Sequence, residues 1–310
     1  MTNPESSSYI LFLQHGWHDT HRRMYGLGQT LAERHADVIA PNLGLVKTWW
    51  RIEPLINALE AIAISAHQRH PDRPWRIVGH SMGGLSWLEL LQRHPEWWPH
   101  VTSLSLVSSP VGGADLGRIF DPFGWGIGIA RDLGTDRRAI AERLAQHIPI
   151  QTIASDYDGG SDGTVPVQCS QFRHAFYTQL SGIRHDNTKD HPQVASAIQQ
   201  FWTALADTAP DLVPEPLLGP LEDAIVKDLQ QTAGMTDAHR RGFDKATVWA
   251  TLRDGFTLRI WRNSLGIHHV FLADPQNHCR FAGFVGWPDT QGLYAALASI
   301  KQRYASPTHR

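Results

Sequence analysis

The run Gly79-His80-Ser81-Met82-Gly83-Gly84 follows directly on an apolar stretch, Trp75 to Val78, and leads into a helical pattern. A serine in the G-x-S-x-G spacing between a strand and a helix is placed for nucleophilic attack. The connecting turn is sharp and its backbone strained, and side chains two positions either side would collide where strand and helix pass, which explains Gly79 and Gly83. By itself the pattern is weak, arising by chance in about one chain in ten of this length. Its position at the end of a strand is what makes Ser81 a candidate nucleophile. The turn lifts the hydroxyl above the sheet edge, and the backbone N–H of Met82, at the start of the following helix, faces the same space as a donor for a developing oxyanion.

A hydroxyl attacks a carbonyl only when a base takes its proton, and the base needs a third group to hold its ring. Downstream of an expected strand at Ile148 to Ala154 stands Ser161-Asp162-Gly163-Thr164-Val165-Pro166, which makes Asp162 the candidate acid; Asp156 and Asp158 are alternatives. Any of the three could simply form a turn, as Asp-Gly pairs commonly do. After the last expected strand comes Gly182-Ile183-Arg184-His185-Asp186. His185 is the expected base, since a side chain in that loop reaches back over the sheet, whereas His191-Pro192 reads as a helix entry. With 18 histidines in the chain, position and not residue type carries this choice. A second oxyanion donor is expected from Gln14-His15-Gly16-Trp17-His18: Trp17 through its backbone N–H, with Gly16 permitting close approach and His15 shaping the loop. An ordinary turn is the alternative there.

Elements that would position these residues alternate from residue 9 to about 207. Apolar runs at Tyr9 to Gln14, Asp37 to Ala40, Trp75 to Gly79, Val101 to Val107, Ile148 to Ala154 and Ala175 to Leu180 read as buried strands. Helical stripes at 51–69, from Leu85 onward, at 137–147 and at 193–206 lie between or after them. This order predicts an α/β class with a doubly wound, mostly parallel sheet over residues 1–207. The segment at about 111–147 is a candidate short lid, carrying Phe120, Phe123, Trp125, Ile127 and Ile129 among glycines. Four prolines in 208–220 predict a semi-rigid linker. Residues 221–310 predict a small α+β domain with a hairpin on a two-residue Asp254-Gly255 turn. Its aromatics, Trp249, Trp261, Phe271, Phe281, Phe284 and Trp287, are expected mainly in its core, with a protein-interaction surface as the alternative and no partner identified.

Composition narrows the functional classes. Across 310 residues the formal charge is −2, which supplies no basic field for nucleic acid. The cysteines, Cys169 and Cys279, are far apart and lack metal-type spacing, so neither a disulfide framework nor a metal site is expected, and no cofactor is implied. No apolar run is long enough for a membrane span, and Met1 to Ser8 lacks the basic start of a secretory signal, so a cytoplasmic location is expected. The pairs Trp49-Trp50 and Trp97-Trp98 suit either ordinary packing or peripheral contact with lipid.

Taken in order, His15-Gly16, the Gly79 to Gly84 turn, Asp162 to Pro166 and His185 resemble the α/β-hydrolase family, in its lipase and esterase branch. The resemblance covers about residues 9–207. It implies an eight-stranded core without its first strands, a Ser81-Asp162-His185 triad, and acyl transfer through a covalent ester on Ser81 with Trp17 and Met82 holding the oxyanion. The implied substrate is a small-molecule or lipid ester, with Gly112 to Gly134 lining an acyl pocket. An acyltransferase or thioesterase with the same triad, or a non-catalytic binding protein of this fold, are the alternatives. The resemblance leaves residues 208–310 without a role.

Overall fold

The computed structural model describes residues 8–17, 19–43, 52–113, 134–208 and 212–306. Strand β1 (Ile10–Gln14) is buried along its whole length, and its residues alternate between two cores as the two-residue period of a strand requires. Helix α1 (His21–Leu31) and strand β2 (Asp37–Ile39) follow, then α2 (Glu53–Arg69), β3 (Trp75–His80) and α3 (Met82–Arg93). The unit continues through β4 (Val101–Val107), α4 (Arg138–Ala145), β5 (Ile150–Asp156), β6 (Phe176–Ser181) and α5 (Pro192–Thr208).

These strands form one six-stranded sheet in the order β2-β1-β3-β4-β5-β6, parallel at every pairing. Ile10 and Phe12 join the core under α2, α3 and α4, where Phe12 packs 5.1 Å from Trp75 and 5.0 Å from Trp87 between ring centroids. Leu11 and Leu13 join the opposite core, with Met24, Leu27 and Leu31 of α1 and Val194, Ile198 and Phe201 of α5. Each such fully buried aliphatic or aromatic side chain contributes about 1.5–3 kcal/mol, so the two faces together hold the sheet between its helices.

Past the proline-rich stretch, α6 (Pro220–Gln230), β7 (Thr236–Asp237), β8 (Thr247–Thr251), β9 (Thr257–Arg262), β10 (His268–Ala273), β11 (Cys279–Val285) and α7 (Thr290–Arg303) build a second unit. Its five strands are ordered β7-β11-β10-β9-β8 and run antiparallel. A separate core joins Ile225 and Leu229 of α6, Leu258, Val270 and Phe281 of the sheet, and Leu293, Leu297 and Ile300 of α7.

Several expectations change. The β8–β9 connection is wider than a two-residue turn: the N–H of Leu252 donates to the carbonyl of Phe256 at 2.8 Å, enclosing Arg253, Asp254 and Gly255. Asp254 and Gly255 do take the left-handed conformation (φ 55° and 79°), but Leu252 is pulled into the core and ends the strand early. Trp287 is 65% exposed, outside the core expected for it, while Phe271 and Phe281 are buried. Trp97 is buried, and Trp98 donates its indole N–H to the Leu91 carbonyl at 2.7 Å, so this pair packs against α3. Residues 114–133, with the aromatics of the expected lid, and Trp49, Trp50 and His18 lie outside the described residues. Among the described residues no helix is long and apolar enough to cross a membrane.

Candidate active site

Strand β3 ends at His80 and helix α3 begins at Met82, leaving Ser81 alone in the turn at φ 53° and ψ −125°. A non-glycine residue in that region is strained and persists only where surrounding structure over-determines it. Here the surroundings are backbone. A Cβ on Gly79 would lie 2.4 Å from the Gly84 Cα, and one on Gly83 would lie 2.3 Å from the Gln14 carbonyl oxygen. The N–H of Ser81 is also fastened to the Val107 carbonyl at 2.8 Å, tying the turn to β4.

The Ser81 Oγ lies 3.1 Å from Nε2 of His185. On the other side of the ring, Nδ1 lies 2.7 Å from Oδ2 of Asp162. Because a carboxylate only accepts, Nδ1 carries the proton and Nε2 turns a lone pair toward the serine hydroxyl. Asp162 is buried, and its other oxygen accepts the N–H groups of Thr164 (3.0 Å) and Val165 (2.7 Å). A buried carboxylate is tolerable only with such partners. The backbone joins in as well: the N–H of His185 donates to the Asp162 carbonyl at 2.9 Å.

The rival residues point elsewhere. Asp156 accepts the N–H groups of Gly159 and Gly160, both at 2.7 Å. Asp158 accepts the N–H and hydroxyl of Ser161 at 3.0 and 2.8 Å. His191 accepts the Gln193 N–H at 3.2 Å, a local contact at the entry to α5. Met82 is the first residue of α3, where an N–H has no carbonyl one turn earlier to bond. The turn holding Trp17 abuts the serine, since a Cβ on Gly16 would lie 2.9 Å from the Ser81 Cβ.

Residues 9–142 match the profile of the family described as alpha/beta hydrolase fold. The chain carries a domain with the α/β-hydrolase fold. Among solved structures, Est1E from Butyrivibrio proteoclasticus with bound ferulic acid superposes with a TM-score of 0.51 at 15% identity, over 66% of this chain and 92% of that one. The propeptide form of the lipase BlEst2 from Bacillus licheniformis gives a TM-score of 0.52 at 12% identity, over 90% of this chain and 65% of that one. These identities make the likeness one of fold. No curated protein matches the sequence.

Within the hydrolase domain one histidine that sequence reasoning passed over lies against the site. His80 is buried, and its Nε2–H is shared between the His185 carbonyl (3.1 Å) and the Thr188 hydroxyl (3.2 Å). The Thr188 hydroxyl donates to the same carbonyl at 2.8 Å. Burial, reinforced by His185, holds the pKa of His80 well below the ordinary histidine value, so it stays neutral. Its place immediately before Ser81 is the available signal. His15 is also neutral: burial lowers its pKa, Nδ1–H donates to the Gly16 carbonyl at 2.8 Å, and Nε2 accepts the Leu43 N–H at 3.2 Å. That arrangement shapes the Gly16-Trp17 turn.

The loop behind His185 is anchored to the start of α1. Arg23 donates to the Asp186 carbonyl at 2.7 Å and pairs with Asp190, and Lys189 meets Asp19 at 2.7 Å. A cavity of about 770 Å³ opens between α4, the 212–220 stretch and α6, lined among others by Arg138, Phe172, Pro216 and Lys227; Ser81, Asp162 and His185 do not line it. It therefore belongs to the boundary between the two units and not to the serine. Among the described residues no group of three or more His, Cys, Asp or Glu side chains is placed to hold a metal ion.

Proposed function

We propose that the protein is a serine hydrolase that cleaves carboxylic esters through an acyl-enzyme on Ser81. The observation that carries this reading is the continuous path from the strained Ser81 hydroxyl through His185 to buried Asp162. His185 Nε2 takes the serine proton as Oγ adds to the ester carbonyl. The N–H groups of Met82 and Trp17 receive the oxyanion, and the imidazolium returns its proton to the departing alcohol. Water then enters by the same route and gives its proton to His185 as its oxygen adds to the acyl carbon, and the imidazolium returns that proton to Ser81 Oγ as the acid leaves. Asp162 remains ionised, fixes the ring tautomer and stabilises the transient imidazolium. Every step is proton transfer and addition–elimination at carbon. Each oxyanion donor is worth about 10² to 10³ in turnover.

The substrate under this reading is a small-molecule or lipid ester. Residues 1–207 form the catalytic domain, 208–220 the linker and 221–310 the small additional domain. Labelling with a fluorophosphonate tests the nucleophile: loss in Ser81→Ala with retention in Ser86→Ala supports the reading, since the Ser86 hydroxyl is buried and donates to the Met82 carbonyl at 3.0 Å. Labelling that survives Ser81→Ala overturns it. Assay on p-nitrophenyl esters of increasing chain length, with water and an added alcohol competing as acceptors, separates a hydrolase from an acyltransferase. A turnover that needs the alcohol would replace the proposed reaction.

A further inference from the structure

The turn that carries Asp162 is gripped from the second unit by three consecutive side chains. His239 Nε2 lies 3.0 Å from Asp158 Oδ1, and Arg241 reaches the other oxygen of the same carboxylate at 2.6 Å. Arg240 donates to the Gly159 carbonyl, and its stem lies against Gly160, where a Cβ would meet the Arg240 Cγ at 3.1 Å and His239 Nε2 at 3.3 Å. The tautomer of His239 is determined by its neighbours: Nδ1 accepts the Arg241 N–H at 2.9 Å, so Nε2 is the protonated nitrogen that donates to Asp158.

Asp158 passes this grip inward. Its Oδ1 accepts both the N–H and the hydroxyl of Ser161, and the Ser161 oxygen in turn accepts the Gly163 N–H at 3.0 Å. The two residues flanking Asp162 are therefore held by one carboxylate that the second unit holds. Further along the same segment, Gln168 exchanges two hydrogen bonds with the backbone of Ala282 on β11, so the second unit grips the acid loop at both ends. The Arg241–Asp158 pair, exposed on the arginine side, adds little to stability. The consequence of these contacts is positional, because a displacement of about 1 Å at a reacting group can cost roughly a hundredfold in rate.

We propose that the C-terminal unit is a positioning element of the Ser81 site, in which His239 and Arg241 clamp Asp158 and thereby hold Asp162 against His185. This rests on the hydrolase reading above. His239 and Arg241 act through Asp158 and touch no substrate.

The test uses the full chain with p-nitrophenyl acetate, followed as a function of pH, with Ser81 labelling and Tm recorded for each variant. His239→Ala and Asp158→Asn are expected to lower kcat by about tenfold to a hundredfold with KM little changed. The acid limb of kcat/KM should move to lower pH, since an imidazolium whose carboxylate has shifted is less stabilised. His239→Gln keeps an N–H for Asp158 and should recover most of the rate. Arg241→Ala removes a group that is 73% exposed, so it should fold and show a smaller loss of the same kind. Should His239→Ala fail to fold, Asp158→Asn and Arg241→Ala decide. Unchanged kcat and an unmoved acid limb in the folded variants overturn the proposal. So does an equal loss in Arg173→Ala, which cuts the Arg173–Asp223 pair elsewhere between the same units. A wild-type chain that neither labels at Ser81 nor turns over the ester overturns the hydrolase reading together with the clamp, whereas normal wild-type activity with silent variants overturns the clamp alone.

Discussion

The imidazole of His80 donates to the backbone carbonyl of His185 at 3.1 Å, so the residue just before Ser81 holds the backbone of His185. The two rings sit 4.9 Å apart between centroids, and His80 is tilted against the face of its neighbour. The turn is thus joined to His185 twice, through the Ser81 hydroxyl to its ring and through His80 to its backbone.

That double tie predicts a specific kinetic signature. His80→Phe keeps a flat ring and removes the donor, and it should lower kcat by about tenfold to a hundredfold while leaving KM near its wild-type value. Steady-state kinetics on a soluble ester checks this. A folded variant with unchanged kcat would show that Thr188 alone suffices to hold the His185 carbonyl.

Burial of His80 also has a consequence for stability. Its folded pKa lies below the ordinary value, so near neutral pH both folded and unfolded forms are uncharged and the shift contributes nothing. As pH falls through about 6.5 the unfolded chain takes a proton that the folded chain refuses, and stability declines. His15, shifted in the same direction by burial, adds to the decline, whereas His94, raised by Glu60 and Glu96, opposes it. Urea unfolding at a series of pH values should therefore show a shallower acid-side loss in His80→Phe than in wild type, and parallel curves would refute the assignment.

The glycines of the turn should tolerate nothing larger. Gly83→Ala places a methyl group 2.3 Å from the Gln14 carbonyl oxygen, a contact that backbone movement alone can relieve. A cost of about 1–3 kcal/mol and loss of fluorophosphonate labelling are expected. Gly26, with nothing within 4 Å of such a methyl group, is the matched control and should gain about 0.4–1 kcal/mol in α1 when changed to Ala. Thermal melts of both variants provide the comparison.

Two acids, Asp162 and Asp156 at the end of β5, should separate by rate. Asp162→Asn is expected to reduce kcat by about 10⁴, the loss seen when a triad acid can no longer hold the correct tautomer. Asp156→Asn should cost far less than this, because its carboxylate serves the Gly159 and Gly160 N–H groups and meets Arg240, and does not face the His185 ring. Equal effects at the two positions would remove Asp162 from its role.

A buried ion pair joins the units independently of the clamp. Arg138 on α4 meets Asp237 on β7, with side chains only 9% and 2% exposed. Arg138→Leu strands the carboxylate and should cost about 3–5 kcal/mol, while the double variant with Asp237→Leu recovers much of the loss. Denaturant titration of the two variants and wild type measures the difference. A single variant as stable as wild type would mean that the carboxylate finds another partner.

Much of the parallel-sheet unit was legible because its signals are local. Apolar runs named all six strands of the parallel sheet to within a few residues; the inner four are buried on both faces and so largely apolar, whereas the edge strands β2 and β6 are only partly buried, against the expectation for them. Helix α1 escaped notice because His21, Arg22 and Arg23 open it and Gly26 and Gly28 interrupt it. Its buried stripe works only because Gly28 allows the helix to approach Leu13 and Val38, a fact that no periodicity displays. The β8–β9 turn departs from the Asp-Gly expectation for a related reason: Leu252 is buried in the core at the end of the strand, and the Asp-Gly pair alone does not decide where the strand ends.

The sequence by itself determined the bend at Ser81, because the steric demand for Gly79 and Gly83 is settled within six residues of chain. It also determined which loops can reach that bend, through the order of strands. Only tertiary structure decided which side chains on those loops face one another: His185 meets Ser81 across 104 residues of sequence, and Asp162 alone of its neighbours turns toward the ring. The grip of His239, Arg240 and Arg241 on the acid loop lay equally beyond reach of the sequence. Spacing along a chain controls local backbone shape, whereas the direction of a side chain in space is set by packing that residues far apart make together.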